Sequence, residues 1–352
     1  MANPYSGLPD HAFWSRAVAG RSPDQVRPAA RPGFAIRPED RVATAGSCFA
    51  QHISRALTAR GYGYLVTEPG PEDQGYGVFP ARFGNIYYAR QLLQVFQRAY
   101  GLFDPQETAW RTADGRVVDP FRPRVQPDGF ADAEAMLADR EIHLAAVRRM
   151  FETLDVLVFT LGLTEAWVSD RDGAVFPLAP GVAGGPDDAT HIRPHNFTVA
   201  ETVADLMSVI AMARAIRPDL RVLLTVSPVP LKATFEDRHV LVSTGYSKAV
   251  LRVAAGMVCD ALDGVDYFPS YEIVTGIQAG SGIWAEDLRT VTADGVSRVM
   301  AELARSYLEQ AETQEAAPAP AVRAPSASPS ADQRAEQAAL AQVICDEEAI
   351  EP

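Results

Sequence analysis

Five short apolar runs, each separated from the next by a longer stretch of helical spacing, constrain this chain more than any other feature. The runs fall at 41–45, 63–66, 155–160, 221–226 and 265–268. Between them lie helical patterns at about 49–60, 85–100, 132–153, 200–216 and 246–262, with a last one near 293–310. Runs such as DVLVFT (155–160) and RVLLTV (221–226) are apolar almost throughout, where a half-exposed strand would alternate. Strands of that kind, divided by helices, predict an α/β fold: a three-layer α/β/α sandwich whose parallel sheet is covered on both faces. Sites in such sheets form beyond the carboxyl ends of the strands. Ser47, Gly162 and Ser227 each fall just past the end of a run.

The rest of the chain divides by composition. Residues 1–40 are rich in Pro and Arg and read as an arm over the surface, anchored by Phe13 and Trp14, ahead of a domain over 41–310. Two turn-rich stretches, 104–131 and 168–199, interrupt the alternation and suit lids or binding loops above the sheet. Residues 311–330, dominated by Ala, Pro and Ser, predict a disordered linker. Helical spacing returns over 331–352, where Ala339, Leu340, Val343, Ile344 and Ile350 stand among acids. That pattern predicts a short amphipathic terminal helix, tethered so as to dock on its own domain or on a protein partner.

Composition also excludes functions. A net charge of −13 in 352 residues leaves no basic surface to neutralise phosphates, so nucleic acid is not an expected partner. No apolar run approaches the roughly 18 residues of a membrane span, and the first residues lack the pattern of a signal peptide. Cys48, Cys259 and Cys345 lie far apart, without metal-ligand spacing. An odd, sparse set of thiols fits a reducing, cytoplasmic setting, with no metal or cofactor expected.

The richest segment chemically is RVATAGSCFA (41–50). A short strand leads to Gly46, the turn carries Ser47, and Phe49, Ile53, Ala56 and Leu57 share one face of the helix that follows. A serine at a helix N-terminus meets free backbone N–H groups, which favour a developing negative charge. The same arrangement also suits a serine that only caps its helix. Cys48, one residue on, is expected to point inward as small buried packing.

The pentapeptide Gly46-Ser47-Cys48-Phe49-Ala50 resembles the signature of the GSCFA family, which belongs to the SGNH (GDSL-like) hydrolase superfamily. Similar blocks follow in order as FGNIY (83–87), TLGLTEAW (160–167), TVSPVP (225–230), YSKAVLR (246–252), YFPSYE (267–272) and AEDLR (285–289). The resemblance implies an SGNH-like fold and a serine esterase or O-acyltransferase that works through an acyl-Ser47 intermediate on a small-molecule or glycan acyl substrate. Gly84 and Asn85 match the block that lends a glycine N–H to the oxyanion hole, although Asn85 equally suits a helix cap. Gly162-Leu163-Thr164-Glu165 lacks the usual Asn, so Thr164 is the expected donor there and Glu165 an expected substrate contact. The superfamily's closing Asp-x-x-His becomes Asp287-Leu288-Arg289-Thr290. Asp287 is retained but its histidine is not, and threonine is no general base near neutral pH. His191, His195 and His239 lie near blocks that the resemblance places above the sheet. His195 is the expected substitute base with His239 behind it, His239 being also an expected substrate contact. His11 and His52 read as peripheral or helix-face residues, and His143 as one on a surface helix. Lys248 and Arg252, spaced i, i+4 on one helix, suit either an anionic substrate group or a carboxylate such as Glu272. Without the histidine the chain also fits an SGNH-like binding or assembly protein that keeps its pocket but not its chemistry.

Overall fold

The structure, a computed structural model, describes residues 3–29, 31–309 and 346–350. The expected linker at 311–330 and most of the expected tail helix, with Ala339, Leu340, Val343 and Ile344, lie outside the described residues. In chain order the strands begin with β1 (Val42–Gly46), β2 (Trp110–Arg111), β3 (Val117–Val118) and β4 (Val156–Leu161). They continue with β5 (Glu165–Ser169), β6 (Val175–Phe176), β7 (Ile192–Asn196), β8 (Arg221–Val226) and β9 (Val265–Phe268). The helices are α1 (Trp14–Ala17), α2 (Ala50–Thr58), α3 (Ala89–Ala99) and α4 (Ala133–Thr153), then α5 (Val199–Ile216), α6 (Val240–Ala261), α7 (Ser270–Thr275) and α8 (Ala293–Tyr307).

The central sheet is wholly parallel, in the order β1-β4-β8-β9. β1, β4 and β8 are buried on both faces, which is why their sequences are largely apolar, whereas Asp266 and Tyr267 of the edge strand β9 are half-buried. Alternate residues feed two separate cores. Ala43, Ala45, Leu157, Phe159, Val222 and Leu224 pack with α3, α4, α5 and α6, whereas Val42, Val156, Val158 and Leu223 pack with α2, α7 and α8. The fold is therefore the expected three-layer α/β/α sandwich.

Three local expectations need correction. Residues 63–66 form no strand; Tyr64 makes only a single parallel bridge to Val42. Trp14 does not anchor the arm, being 62% exposed; Ile36, buried and bridged to Leu308, does so instead. The third helix starts at Ala89, not near residue 85, because residues 84–88 are held by the strand ends. The two turn-rich stretches gain sheets of their own. Within 104–131, β2 and β3 form an antiparallel pair, and β6-β5-β7 form a second antiparallel sheet beyond the end of β4.

Candidate active site

Ser47 is placed by the convergence of β1 and β4. The backbone at Gly46 has φ of 143°, and a methyl group there would lie 2.5 Å from the Thr160 carbonyl oxygen. Only glycine lets the two strand ends approach that closely. The Ser47 N–H donates to Thr160 O at 3.2 Å, and Ser47 O accepts from Ala50 N at 2.8 Å, which opens the turn into α2. Ser47 is 3% exposed, and among the described residues its Oγ has no hydrogen-bond partner. A buried hydroxyl left unpaired costs free energy that a ligand would recover. Cys48 is buried beside it, as expected.

Two loops close on this serine. Gly46 O accepts from Ile86 N at 2.8 Å, so residues 84–87 lie against the end of β1. Tyr87 O accepts from both Gly162 N and Leu163 N, at 3.0 and 3.2 Å, which ties the same loop to the end of β4. Gly162 is packed so tightly that a methyl group on it would sit 3.2 Å from Ser47 Cβ and 3.1 Å from the Tyr87 ring. Ser47, the loop with Gly84 and Asn85, and the loop with Gly162 thus meet in one place. Asn85 does not cap the following helix, whose N-cap is Tyr88. Its Oδ1 accepts from Gln51 Nε2 at 3.3 Å, which fixes the amide so that Nδ2 points away from α2. Thr164 gives its backbone N–H to Ser247 Oγ at 3.1 Å, while its own buried hydroxyl has no partner among the described residues.

Lys248 reaches the same end of the sheet from α6. Its ammonium is fully buried and donates to Gly162 O at 2.7 Å, the carbonyl of the residue that touches Ser47. Burial pulls its pKa down to about 7, against the opposing attraction of Glu347. Arg252, four residues on, goes elsewhere: it pairs with Glu272 at 2.7 Å. Arg252 thus takes the expected carboxylate, whereas Lys248 goes to a backbone carbonyl, a partner that the sequence did not suggest.

The C-terminal residues complete the arrangement. Asp346–Ala349 form a 3₁₀ turn, and Asp346 and Glu347 are buried. Asp346 Oδ2 accepts from Asn85 Nδ2 at 3.0 Å, and the Asp346 N–H donates to the Tyr87 hydroxyl at 3.2 Å. Glu347 and Glu348 accept from the two terminal nitrogens of Arg289, at 2.8 and 2.7 Å. Burial raises the pKa of Asp346 and of Glu347; the Asn85 amide opposes it at the first, Arg289 and Lys248 at the second.

Two cavities flank this segment. One, of about 130 Å³, is lined by Gln51, Phe83, Gly84, Asn85, Phe121 and Asp346, among others. The second, of about 180 Å³, is bounded by Tyr88, Leu163, Glu165, Trp167, Glu347 and Ile350, among others. The loop carrying Phe121 owes its position to a buried charge cluster. Asp119 pairs with Arg122 at 3.0 Å and with Arg140 at 2.8 Å. Burial opposes ionisation of Asp119, but Arg122, Arg140 and Arg98 outweigh it and hold the carboxyl well below the usual range.

Other expected site residues are engaged away from Ser47. His195, on β7, has Nε2 2.9 Å from Glu201 Oε1, a residue that also caps α5, and its ring packs edge-on against Phe197. His239 is exposed and caps α6, accepting from Leu241 N at 3.1 Å. Asp287 turns back on its own loop, accepting from the Thr290 hydroxyl at 2.6 Å and from Thr290 N at 2.9 Å. Glu165 lines the second cavity, but both carboxylate oxygens accept from the Thr234 hydroxyl, at 2.8 and 2.9 Å. His143 is not on the surface: it is 1% exposed and lies 2.8 Å from Glu68. His191 is 2.8 Å from Glu107, and His52 is buried against Phe49. Among the described residues neither a histidine nitrogen nor the Lys248 ammonium is hydrogen-bonded to Ser47; Lys248 reaches the carbonyl of Gly162, the residue packed against it. Sequence reasoning missed Arg289 and Tyr87 altogether; the acidic run DEE at 346–348 was the available signal for a partner of Arg289.

Among the described residues no cluster of His, Cys, Asp or Glu could hold a metal ion, and no helix is long and apolar enough to cross a membrane. The sequence model of the GSCFA family matches residues 41–303, from the residue before β1 into α8. No curated protein matches the chain.

Proposed function

The chain belongs to the GSCFA family, and from that premise we propose that it is an SGNH-like serine esterase or O-acyltransferase acting on a small-molecule or glycan acyl substrate in the cytoplasm. The observation that carries this reading is the Ser47 hydroxyl: buried, unpartnered among the described residues, and set at the carboxyl end of a parallel strand. In this proposal Ser47 Oγ attacks the acyl carbonyl carbon. The neutral Lys248 amine takes the hydroxyl proton, the role a histidine fills in the usual triad. The oxyanion is met by the Gly84 N–H and the Thr164 hydroxyl, with the Asn85 amide joining once Asp346 releases it; the Ser47 N–H stays with Thr160 O. Collapse of the adduct breaks the ester C–O bond; the proton passes from Lys248 to the leaving oxygen, and acyl-Ser47 remains. Water or an acceptor hydroxyl then takes the acyl group by the reverse sequence.

A second reading, a binding or assembly protein with a degenerate site, is favoured by one observation: Asp287 is spent on Thr290 and holds no histidine. One experiment separates the two. The full chain, and its Ser47→Ala variant, are treated with a fluorophosphonate probe and assayed on a short-chain aryl ester. Labelling and hydrolysis that both vanish with Ser47 support acyl transfer. A chain that stays unlabelled and inactive even when Asp346 and Glu347 are replaced selects the binding reading, and hydrolysis that survives Ser47→Ala removes Ser47 as the nucleophile.

A further inference from the structure

We propose that residues Asp346–Ile350 are a resident ligand of the Ser47 site, an acidic segment of the chain itself that fills the cleft and holds it closed. The occupancy stands on geometry and does not need the acyl-transfer reading; its effect on Ser47 reactivity does.

Adjacent side chains of this segment meet complementary groups on different elements. Asp346 takes the Asn85 amide and gives its N–H to the Tyr87 hydroxyl, both in the loop that lies against Ser47. Glu347 meets Arg289, within the electrostatic reach of Lys248, and Glu348 takes the other arm of Arg289. Lys232 faces Glu348 from the loop after β8, 3.5 Å away. Ile350, itself partly exposed, borders the second cavity beside Leu163 and Trp167. The segment therefore stands between two cavities, Asp346 lining one and Glu347 and Ile350 lining the other.

Acidic side chains are almost never buried unless paired, and here two are buried at one place. What pairs them is the equipment of the candidate site, including the amide assigned to the oxyanion. The groups that hold the segment also describe what the cleft accepts: a ligand with neighbouring carboxylates, one read by an amide and the next by a guanidinium beside a buried amine. Tethering favours the segment over a free ligand of equal affinity, because a linked group faces its site at a high effective concentration. A competing substrate must displace it.

Amide hydrogen exchange on the full chain tests this directly. In the parent, amides of 346–350 and 84–88 are expected to be protected. With Asp346→Asn and Glu347→Arg together, exchange in both segments should rise by roughly ten- to a hundredfold, the range of a few charge-assisted contacts. Arg289→Glu should act alike, and Arg289→Glu combined with Glu347→Arg should restore protection. Unprotected 346–350 amides in the parent, or protection unchanged by the tail substitutions, would overturn the proposal. Protection that appears only as protein concentration rises would assign the segment to a second copy and equally overturn it. Fluorophosphonate labelling of the same proteins tests closure: the tail variants should label Ser47 faster than the parent, and equal rates would refute closure. Failure of every variant to label, with the exchange pattern as expected, would leave the occupancy standing and remove the acyl-transfer reading alone.

Discussion

Asn85 Nδ2 donates to Asp346 Oδ2 at 3.0 Å, a hydrogen bond between residues 261 positions apart. It joins the loop beside Ser47 to the far end of the chain, and it spends the donor that acyl transfer would direct at an oxyanion. The same contact brings the Asp346–Ala349 turn against the loop that carries Asn85.

Lys248 sets the expected pH response of the site. Burial lowers its pKa to about 7, and only the neutral amine can accept the serine proton. Aryl-ester hydrolysis is therefore expected to be low when the amine is charged, to rise through about pH 7, and to level off above it. Lys248→Met should lower the plateau by roughly two to four orders of magnitude and abolish the step near neutrality. A pH–rate profile of the two proteins checks both, and an unchanged step in the variant assigns it to another group.

Gly46 is expected to tolerate no side chain. Its φ of 143° is strained for any other residue, and a methyl group would meet Thr160 O at 2.5 Å and Thr160 Cβ at 2.7 Å. Gly46→Ala should cost on the order of 3 kcal/mol, combining backbone strain with overpacking between two strands. Gly245, inside α6 with nothing within 4 Å of an added methyl group, provides the contrast. Gly245→Ala should stabilise the chain by about 0.5–1 kcal/mol. Denaturant midpoints of both variants decide it.

Two buried histidines tie stability to acidity. Burial lowers His52 and His143 to about 4 from an ordinary value of 6.5, with Arg55 adding to the effect at His52 and Arg122 at His143. Between those values the unfolded chain binds more protons, so stability falls as pH drops from 6.5 to about 4 and the loss saturates below. His52 contributes on the order of 3 kcal/mol across that window, at about 1.4 kcal/mol per pH unit, while at His143 the Glu68 carboxylate opposes the shift. His52→Phe, which keeps the edge contact with Phe49, should flatten the slope between pH 4 and 6.5 when denaturation is followed by pH. A slope unchanged by this substitution would show that His52 titrates normally.

The architecture was legible because it rests on local patterns. Runs such as 155–160 and 221–226 declare strands buried on both faces, and the Gly46-Ser47 turn declares where one of them stops. Ser47, Asn85 and Gly162 were legible for the same reason, since each stands where a strand or turn ends. The partners of the histidines were not, because a histidine's surroundings are set by tertiary contacts. His195 shares a short segment with Glu201, and that near neighbour takes its ring. Lys248 looked like half of a helix-face pair with Arg252, and only the approach of α6 to the Gly162 carbonyl separates the two. Docking of Asp346 depends on a contact 261 positions long, which no local spacing encodes.

The single bridge between Val42 and Tyr64 has a consequence for assembly. β1 is the outer strand of the central sheet, and an outer strand with open backbone groups invites another chain to extend it. Here Val42 gives its N–H to Gly63 O and receives Leu65 N, both at 2.9 Å, while Gly46 O is taken by Ile86 N. Thr44, between them, is fully buried, its hydroxyl 3.1 Å from that of Tyr64. At the opposite margin, the Asp266 carboxylate of β9 is taken by Gly33 N and the Tyr307 hydroxyl. The outward backbone groups of Val42 and the carbonyl of Gly46 are thus already taken, which leaves a neighbouring chain little of the β1 margin to extend.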